Sequence, residues 1–447
     1  MKRVWIILCL AAIGGCKTLP LQEVHLKGQL ADMGSREVAL EYTGVTGDFG
    51  NARNIMLQTD HEGNFDTVIV LDKPGYFNIS RNILYLSPGD DLKVYLTPDT
   101  RQASYQGKGS EANIFLKDRL YPKGGSFLLS GRNIGPDFQA TRRRIDSLAE
   151  IKLQQLEKLQ QVSPEFKENE RARIWANLIN SYLMYPMYNR ELRGMSAEEA
   201  EKWEQDFRKE ITPAINAWME TIARNKYLDI VDVREVVIYQ LEQASFFQHV
   251  AITPEMREIQ EALKVLSVLD ASTDAEEVKK IEKTLDSYRN QEIAASLREK
   301  IEGVKSLMAG QPAHDIVMSD TTGVEVRLSS FKGRPIYLDC WATWCGPCIQ
   351  ESPAFAALSK KYEGKDLVFI QLSTDNSRKD WLNYLAQKKG TLTQYNSTDH
   401  VGLRERWQIK YIPRFILIDR DFNIFRAFAP RPSDPDITVC LEELLKR

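Results

Sequence analysis

Ile336-Tyr337-Leu338-Asp339-Cys340-Trp341-Ala342-Thr343-Trp344-Cys345-Gly346-Pro347-Cys348 runs a short apolar stretch directly into two cysteines separated by two residues. The run reads as a strand that leads directly into the first turn of a helix, with the two cysteines at that junction. Two cysteines spaced this way at a helix start can close a small disulfide ring and open it again. The first sulfur lies where unpaired backbone N–H groups and the helix dipole favour negative charge, so its thiolate is stabilised. Thiolate is the attacking species in thiol–disulfide exchange. Cys345 is therefore read as the exposed nucleophile and Cys348, one turn further in, as the resolving thiol.

The same spacing also serves zinc sites and c-type haem attachment. Haem attachment needs histidine at the next position, which is Ile349, and zinc needs two further ligands. The five histidines, at 25, 61, 249, 314 and 400, are scattered and no second cysteine pair exists. A peroxidatic cysteine would not require the second thiol in the first turn. The expectation is a redox dithiol with no metal and no cofactor.

The stretch Asp339–Cys348 resembles the active-site strand and turn of the thioredoxin family, and Glu351 with Pro353 extends it into the Cys-x-x-Cys-x-x-Glu-x-Pro pattern of TlpA/ResA-type envelope thioredoxins, here of the Bacteroidetes lipoprotein kind. Tyr411-Ile412-Pro413-Arg414-Phe415-Ile416-Leu417-Ile418-Asp419 is similar to the family segment whose proline is cis. The resemblance implies that Pro413 faces the dithiol and that Ile412 offers backbone groups to a bound substrate chain. Trp344, Gly346 and Pro347 would complete that substrate-binding surface. It also implies that Asp339 is the buried acid beneath the dithiol, taking the Cys348 proton when Cys348 attacks the mixed disulfide, since burial raises a carboxyl pKa. The plainer reading of Asp339 is a strand-end carboxylate satisfied by nearby backbone. Glu351 is read as a solvated helix residue, and Cys340 and Cys440 as buried small hydrophobes.

A chain of 447 residues exceeds what one core organises, and its hydrophobic share of 43% with 27% charged is that of an ordinary globular protein. The net charge of −3 gives no electrostatic case for nucleic acid. At the start, Lys2 and Arg3 precede the apolar run Val4–Ile13, and Ile13-Gly14-Gly15-Cys16 ends a small-residue cleavage site in cysteine. This resembles a bacterial lipoprotein signal, with lipidated Cys16 as the anchor. The run falls short of the roughly 20 apolar residues that span a bilayer. The alternative is a plain secretory signal with Cys16 a bystander.

Periodicity divides the remainder. The expected domains are a signal peptide at 1–15, a lipid-anchored tether at 16–21, a β-sandwich-like domain at 22–108, a helical domain at 109–308 and a thioredoxin-like α/β domain at 309–447. In the β-sandwich-like domain, alternating runs at 24–28, 38–42, 68–70 and 82–86 are separated by Glu62-Gly63-Asn64 and Ser87-Pro88-Gly89-Asp90 turns. This pattern is similar to the domain that precedes envelope thioredoxins in Bacteroidetes lipoproteins. In the helical region, Ser163, Ser196, Thr253 and Thr273 read as hydroxyl N-caps. Tyr76, Phe77, Tyr85 and Tyr95, and the Tyr182–Tyr188 cluster with Met184 and Met187, read as core, with a binding surface as the alternative.

The fold class expected is multidomain α+β. The function expected is an envelope-anchored, periplasm-facing thiol–disulfide oxidoreductase, with reduction favoured because the Gly-Pro dipeptide resembles the reducing branch of the family. Its partners would be disulfide-containing envelope proteins, the membrane through the lipid anchor and a membrane electron donor that recharges the dithiol. The other reading is a binding or scaffold lipoprotein in which the dithiol is auxiliary. The anchor has a direct test: cells expressing the chain should incorporate labelled palmitate into it, and Cys16→Ala should abolish the label. Undiminished labelling in that variant would remove the assignment.

Overall fold

The computed structural model describes residues 22–31, 37–50, 53–117, 125–240, 251–375, 377–388, 392–397 and 399–447. Cys16 and the rest of the leader lie outside the described residues.

Eight strands open the fold: β1 (Gln22–Leu30), β2 (Glu37–Tyr42), β3 (Ile55–Gln58), β4 (Asn64–Leu71), β5 (Gly75–Ile79), β6 (Asn82–Leu86), β7 (Asp91–Leu96) and β8 (Ser104–Lys108). They form two four-stranded sheets, in the orders β4-β1-β7-β8 and β3-β2-β5-β6. Alternation places Val24, Leu26, Leu92, Val94 and Leu96 inside, which is the sandwich-like packing expected from period-2 patterning. Gly28, at φ +150°, lets β1 pass β7, since a Cβ there would lie 1.8 Å from the Val94 carbonyl oxygen. Strand β6 is buried along its whole length, because α1 (Ser110–Lys117) also covers it. Asn113 of α1 donates to the Tyr85 carbonyl and accepts from its N–H.

Two compact units divide the chain: residues 1–41 with 55–192, and residues 42–54 with 193–447. In the first, α2 (Phe138–Glu157) and α3 (Pro164–Arg193) follow the sandwich. Tyr182 and Tyr185 are buried, Tyr182 donating to Asp146 and both packing on Phe138, whereas Met187 is exposed. Tyr188 of that cluster is half-buried, whereas Tyr182 and Tyr185 belong to the core. So do Tyr76, Phe77 and Tyr85, while Tyr95 is exposed. Glu170 and Arg173 form a buried ion pair at 3.0 Å, with the Tyr76 hydroxyl donating to Glu170 at 2.7 Å and the guanidinium 4.6 Å above the Tyr76 ring.

The second unit contains α4 (Ala197–Ile222), α5 (Val231–Gln240), α6 (Pro254–Leu269), α7 (Ala275–Glu282) and α8 (Gln291–Lys305). Ser196 caps α4 in a reciprocal capping box with Glu199, and Thr253 caps α6. The cap of α7 is Asp274, which accepts from Glu277 N–H, rather than the expected Thr273. Aspartate is the better-reaching acceptor there, so the helix starts one residue later than the hydroxyl signal placed it. Arg234 is buried and tied to Asp48 and to the Thr43 and Leu228 carbonyls, which fastens the 42–54 loop onto these helices.

The α/β part holds β9 (Val317–Ser319), β10 (Glu325–Arg327), β11 (Ile336–Trp341), α9 (Gly346–Lys361), β12 (Val368–Ser373), α10 (Arg378–Gln387), β13 (Thr393–Asn396), α11 (His400–Glu405), β14 (Arg414–Ile418), β15 (Ile424–Arg426) and α12 (Asp436–Leu445). Its seven-stranded sheet has the order β10-β9-β13-β12-β11-β14-β15, with β11 parallel to β12 and antiparallel to β14. The central strands are apolar on both faces. Leu338, Cys340, Ile370, Ile416 and Trp407 pack on one side, and Tyr337, Phe355, Phe369, Phe415, Cys440 and Leu441 on the other. This is why β11 and β12 show no alternation in sequence. Among the described residues no helix is long and apolar enough to cross a membrane.

Removing one partner of a buried ion pair leaves the other charge without compensation. Arg173→Met should therefore lower unfolding stability by about 3–5 kcal/mol in urea titration. A change below about 1 kcal/mol would show the pair to be dispensable.

Candidate active site

Strand β11 ends at Trp341, four residues before Cys345, and α9 begins at Gly346. Cys345 is the N-cap of α9. Its sulfur accepts from the Cys348 N–H at 3.2 Å, which points one of the helix's otherwise unpaired donors at the nucleophile position. Pro347 occupies the first turn. Cys345 and Cys348 are joined as a disulfide with Cα atoms 5.3 Å apart. Both sulfur-bearing residues are buried, Cys345 at 5% exposure and Cys348 at 2%, so the expected exposed nucleophile is not exposed in the oxidised form. The ring folds both sulfurs against Trp341, Ala342 and Trp381. The two are told apart instead by position, since Cys345 sits at the cap beside Trp344, which is 72% exposed.

The Ile412–Pro413 peptide is cis, and the Ile412 carbonyl oxygen lies 3.8 Å from Cys345 Sγ. The two cysteines and the Ile412–Pro413 segment thus come together, although 67 residues of chain separate Cys345 from Ile412. Residue Tyr411 is 68% exposed beside them in sequence.

Asp339 shares a strand face with Tyr337, whose ring packs on Phe355 of α9, so its carboxyl lies in the layer that α9 covers. It is 1% exposed and accepts from Gln371 Nε2 at 2.7 Å, while its other oxygen has no hydrogen-bond partner among the described residues. Burial pushes its pKa up to about 7, against the Gln371 hydrogen bond and with help from the Glu351 charge. Gln371 in turn accepts from Gln394 at 2.6 Å, giving a polar ladder across three paired strands. The backbone-satisfied reading of Asp339 does not hold, because its partner is a side chain on the neighbouring strand.

Glu351 also departs from expectation. Rather than a solvated helix residue it is buried, accepting from Ser433 N–H and hydroxyl at 3.0 and 2.8 Å. The segment before α12 folds back over α9, which sequence spacing does not reveal. Cys340 and Cys440 are free and buried, as read from sequence, and burial raises both thiols.

Asp375 has no place in the sequence reading, yet it holds the turn into the dithiol. Its carboxylate accepts from Thr343 N–H and hydroxyl and from Ser373 hydroxyl. The visible signals were an aspartate just past a strand end and Gln371 interrupting the apolar run of β12. Among the described residues no cluster of three or more His, Cys, Asp or Glu side chains is arranged to hold a metal ion.

A helix-capped dithiol, with an imino-acid loop against it and a buried acid on the adjoining strand, defines a thioredoxin-fold disulfide exchanger. The Redoxin family profile matches residues 308–439. Thiol-disulfide oxidoreductase ResA of Bacillus thuringiensis subsp. konkukian is 29% identical over 139 residues, covering 31% of this chain and 77% of that protein. The Bacillus subtilis ResA is 25% identical over 125 residues, or 28% and 69% of the two chains. A Bacteroides vulgatus crystal structure described as a thiol-disulfide oxidoreductase is 58% identical, covering 31% of this chain and 99% of that one at a TM-score of 0.31. A Chlorobium tepidum structure described as thiol:disulfide interchange protein DsbE is 29% identical over 31% and 99%, at a TM-score of 0.29. Residues 308–439 thus form a Redoxin-matching region that is similar to the ResA-type thiol-disulfide oxidoreductases.

The buried carboxyl makes stability depend on pH. Asp339 binds its proton more tightly folded than unfolded, so the folded state holds the extra proton between the two pKa values and stability falls as pH rises from about 4 through about 7. Asp339→Asn removes that dependence. Its gain in unfolding free energy over the parent should grow across this window toward roughly 4 kcal/mol. Identical pH slopes for the two proteins in urea titration would remove the assignment.

Proposed function

We propose that the chain is an extracytoplasmic thiol–disulfide reductase, anchored by Cys16, that acts on disulfides of envelope proteins through the Cys345–Cys348 dithiol. The observation that carries this reading is the Cys348 N–H aimed at Cys345 Sγ beside the Ile412 carbonyl. In the reduced protein the Cys345 thiolate attacks a substrate disulfide, forming one S–S bond to substrate and releasing the other substrate sulfur, which takes up a proton. Cys348 then loses its proton to Asp339 and attacks Cys345 Sγ. The second substrate thiol departs, and the Cys345–Cys348 disulfide seen in the structure remains. Two electrons pass from the dithiol to substrate. A membrane-bound dithiol donor returns them.

Asp339 suits the acceptor role because its pKa of about 7 leaves it able to take and give a proton near neutrality. Trp344 and Tyr411 offer exposed aromatic surface for a polypeptide, with Gly346 and Pro347 leaving the approach to the sulfur low. The direction of transfer follows the Gly-Pro dipeptide, and the basic and apolar leader before Cys16 supports an extracytoplasmic place.

Prereduced protein should cleave insulin disulfides, and Cys345→Ser should abolish the reaction. Cys348→Ala should accumulate mixed disulfides, which, isolated from cell envelopes, name the substrates. Asp339→Asn should slow resolution of the mixed disulfide by about a hundredfold. Intact insulin after incubation with the prereduced protein would overturn the reading.

A further inference from the structure

The segment before Pro413 is held from outside the α/β sheet. Asp270, the C-cap of α6, lies 2.6 Å from Lys300 Nζ of α8 and 3.8 Å from Lys410 Nζ. Lys300 also donates to Gln408 Oε1 at 2.9 Å. The Asp270 and Lys300 side chains are only 15% and 11% exposed, so water screens their attraction less than it would at an open surface. Helix α8 approaches Gln408 so closely that a Cβ on Gly303 would fall 2.7 Å from Gln408 Nε2. Gln408 itself stands at φ +51°, a conformation that a non-glycine residue keeps only when its surroundings enforce it. Beyond these contacts Leu307, just past α8, packs in the same apolar cluster as Trp407 and Ile409, with Ile412 against it. The helices therefore grip residues 407–410, and the next two residues lead to the carbonyl beside Cys345.

We propose that Asp270 and Lys300 are positioning residues for disulfide exchange: the α6–α8 helices fix the loop at 408–412 so that its backbone edge is preset to receive a disulfide-bearing polypeptide. The inference rests on the disulfide-exchange reading of the dithiol and assigns the helical region a part in it. A preset edge lowers the ordering cost of docking a chain, and it does nothing for a small disulfide that needs only the sulfur. The effect thus belongs in KM for a protein substrate. Neither residue touches the reacting atoms, so the turnover step and the reaction with small disulfides are left as they are.

The test uses the full chain with Asp270→Asn, Lys300→Met and the conservative Asp270→Glu. Loss of one partly buried charge partner, worth about 1 kcal/mol, should raise KM for insulin about fivefold in the first two variants, with kcat within about twofold. Asp270→Glu should restore most of the affinity, and the rate with hydroxyethyl disulfide should match the parent in all three. Amide hydrogen exchange supplies a readout independent of activity: Ile409 and Lys410 amides should exchange faster in Asp270→Asn, with β11 amides unchanged. Unaltered exchange at 409–410, an unaltered insulin KM, or equal losses toward insulin and hydroxyethyl disulfide would each overturn the proposal. An inactive parent protein whose loop amides still respond to Asp270→Asn would instead count against the disulfide-exchange reading while the brace stands.

Discussion

One backbone amide, Cys348 N–H, directed at the Cys345 sulfur from 3.2 Å, is the contact to which the rest of the α/β region is arranged. A helix start leaves donors unpaired, and here the acceptor is a sulfur instead of the usual hydroxyl or carboxylate. The contact exists only if β11 delivers the chain to that point and α9 begins there. Asp375 secures the delivery by binding Thr343, and Pro347 favours the start. The apolar layers on both faces of the sheet then keep strand and helix in register.

Within those layers the polar groups are few and linked. The ladder Asp339–Gln371–Gln394 crosses three strands, and Glu351 is fastened to Ser433 on the far side of α9. Burial, helped by the Glu351 charge, is how a strand aspartate comes to titrate near neutrality. The ladder fixes the Asp339 carboxyl against the neighbouring strands through one oxygen and leaves the other available for a proton.

Much of this was legible in the chain. The dithiol and the helical caps at Ser196 and Thr253 follow from local patterns in which spacing and chemistry coincide, the buried thiols from the usual burial of unpaired cysteine, and the Ile412–Pro413 pair from the family resemblance alone. What escaped notice depends on contacts between distant segments. Glu351 looks like a surface residue until Ser433 is brought to it, and Asp375 has no motif of its own. Strands β3, β5 and β8 are short, edge-lying or contain glycine, so their alternation covers too few residues to stand out, whereas β7 alternates over all six of its residues and was legible. The hold of Asp270 and Lys300 on the loop at 408 is invisible to periodicity, since it joins residues more than a hundred positions apart.

Cys340 is five positions from Cys345 in sequence, yet it lies in the opposite apolar layer from the α9 face, and Cys440 is on the buried face of α12. Burial keeps both as protonated thiols. Both are set in packed layers apart from the Trp341–Trp381 cluster that holds the reactive pair, so the proposed exchange runs through Cys345 and Cys348 alone. Packing thus shields the two spectator thiols from scrambling with the reactive pair for as long as the core stays shut.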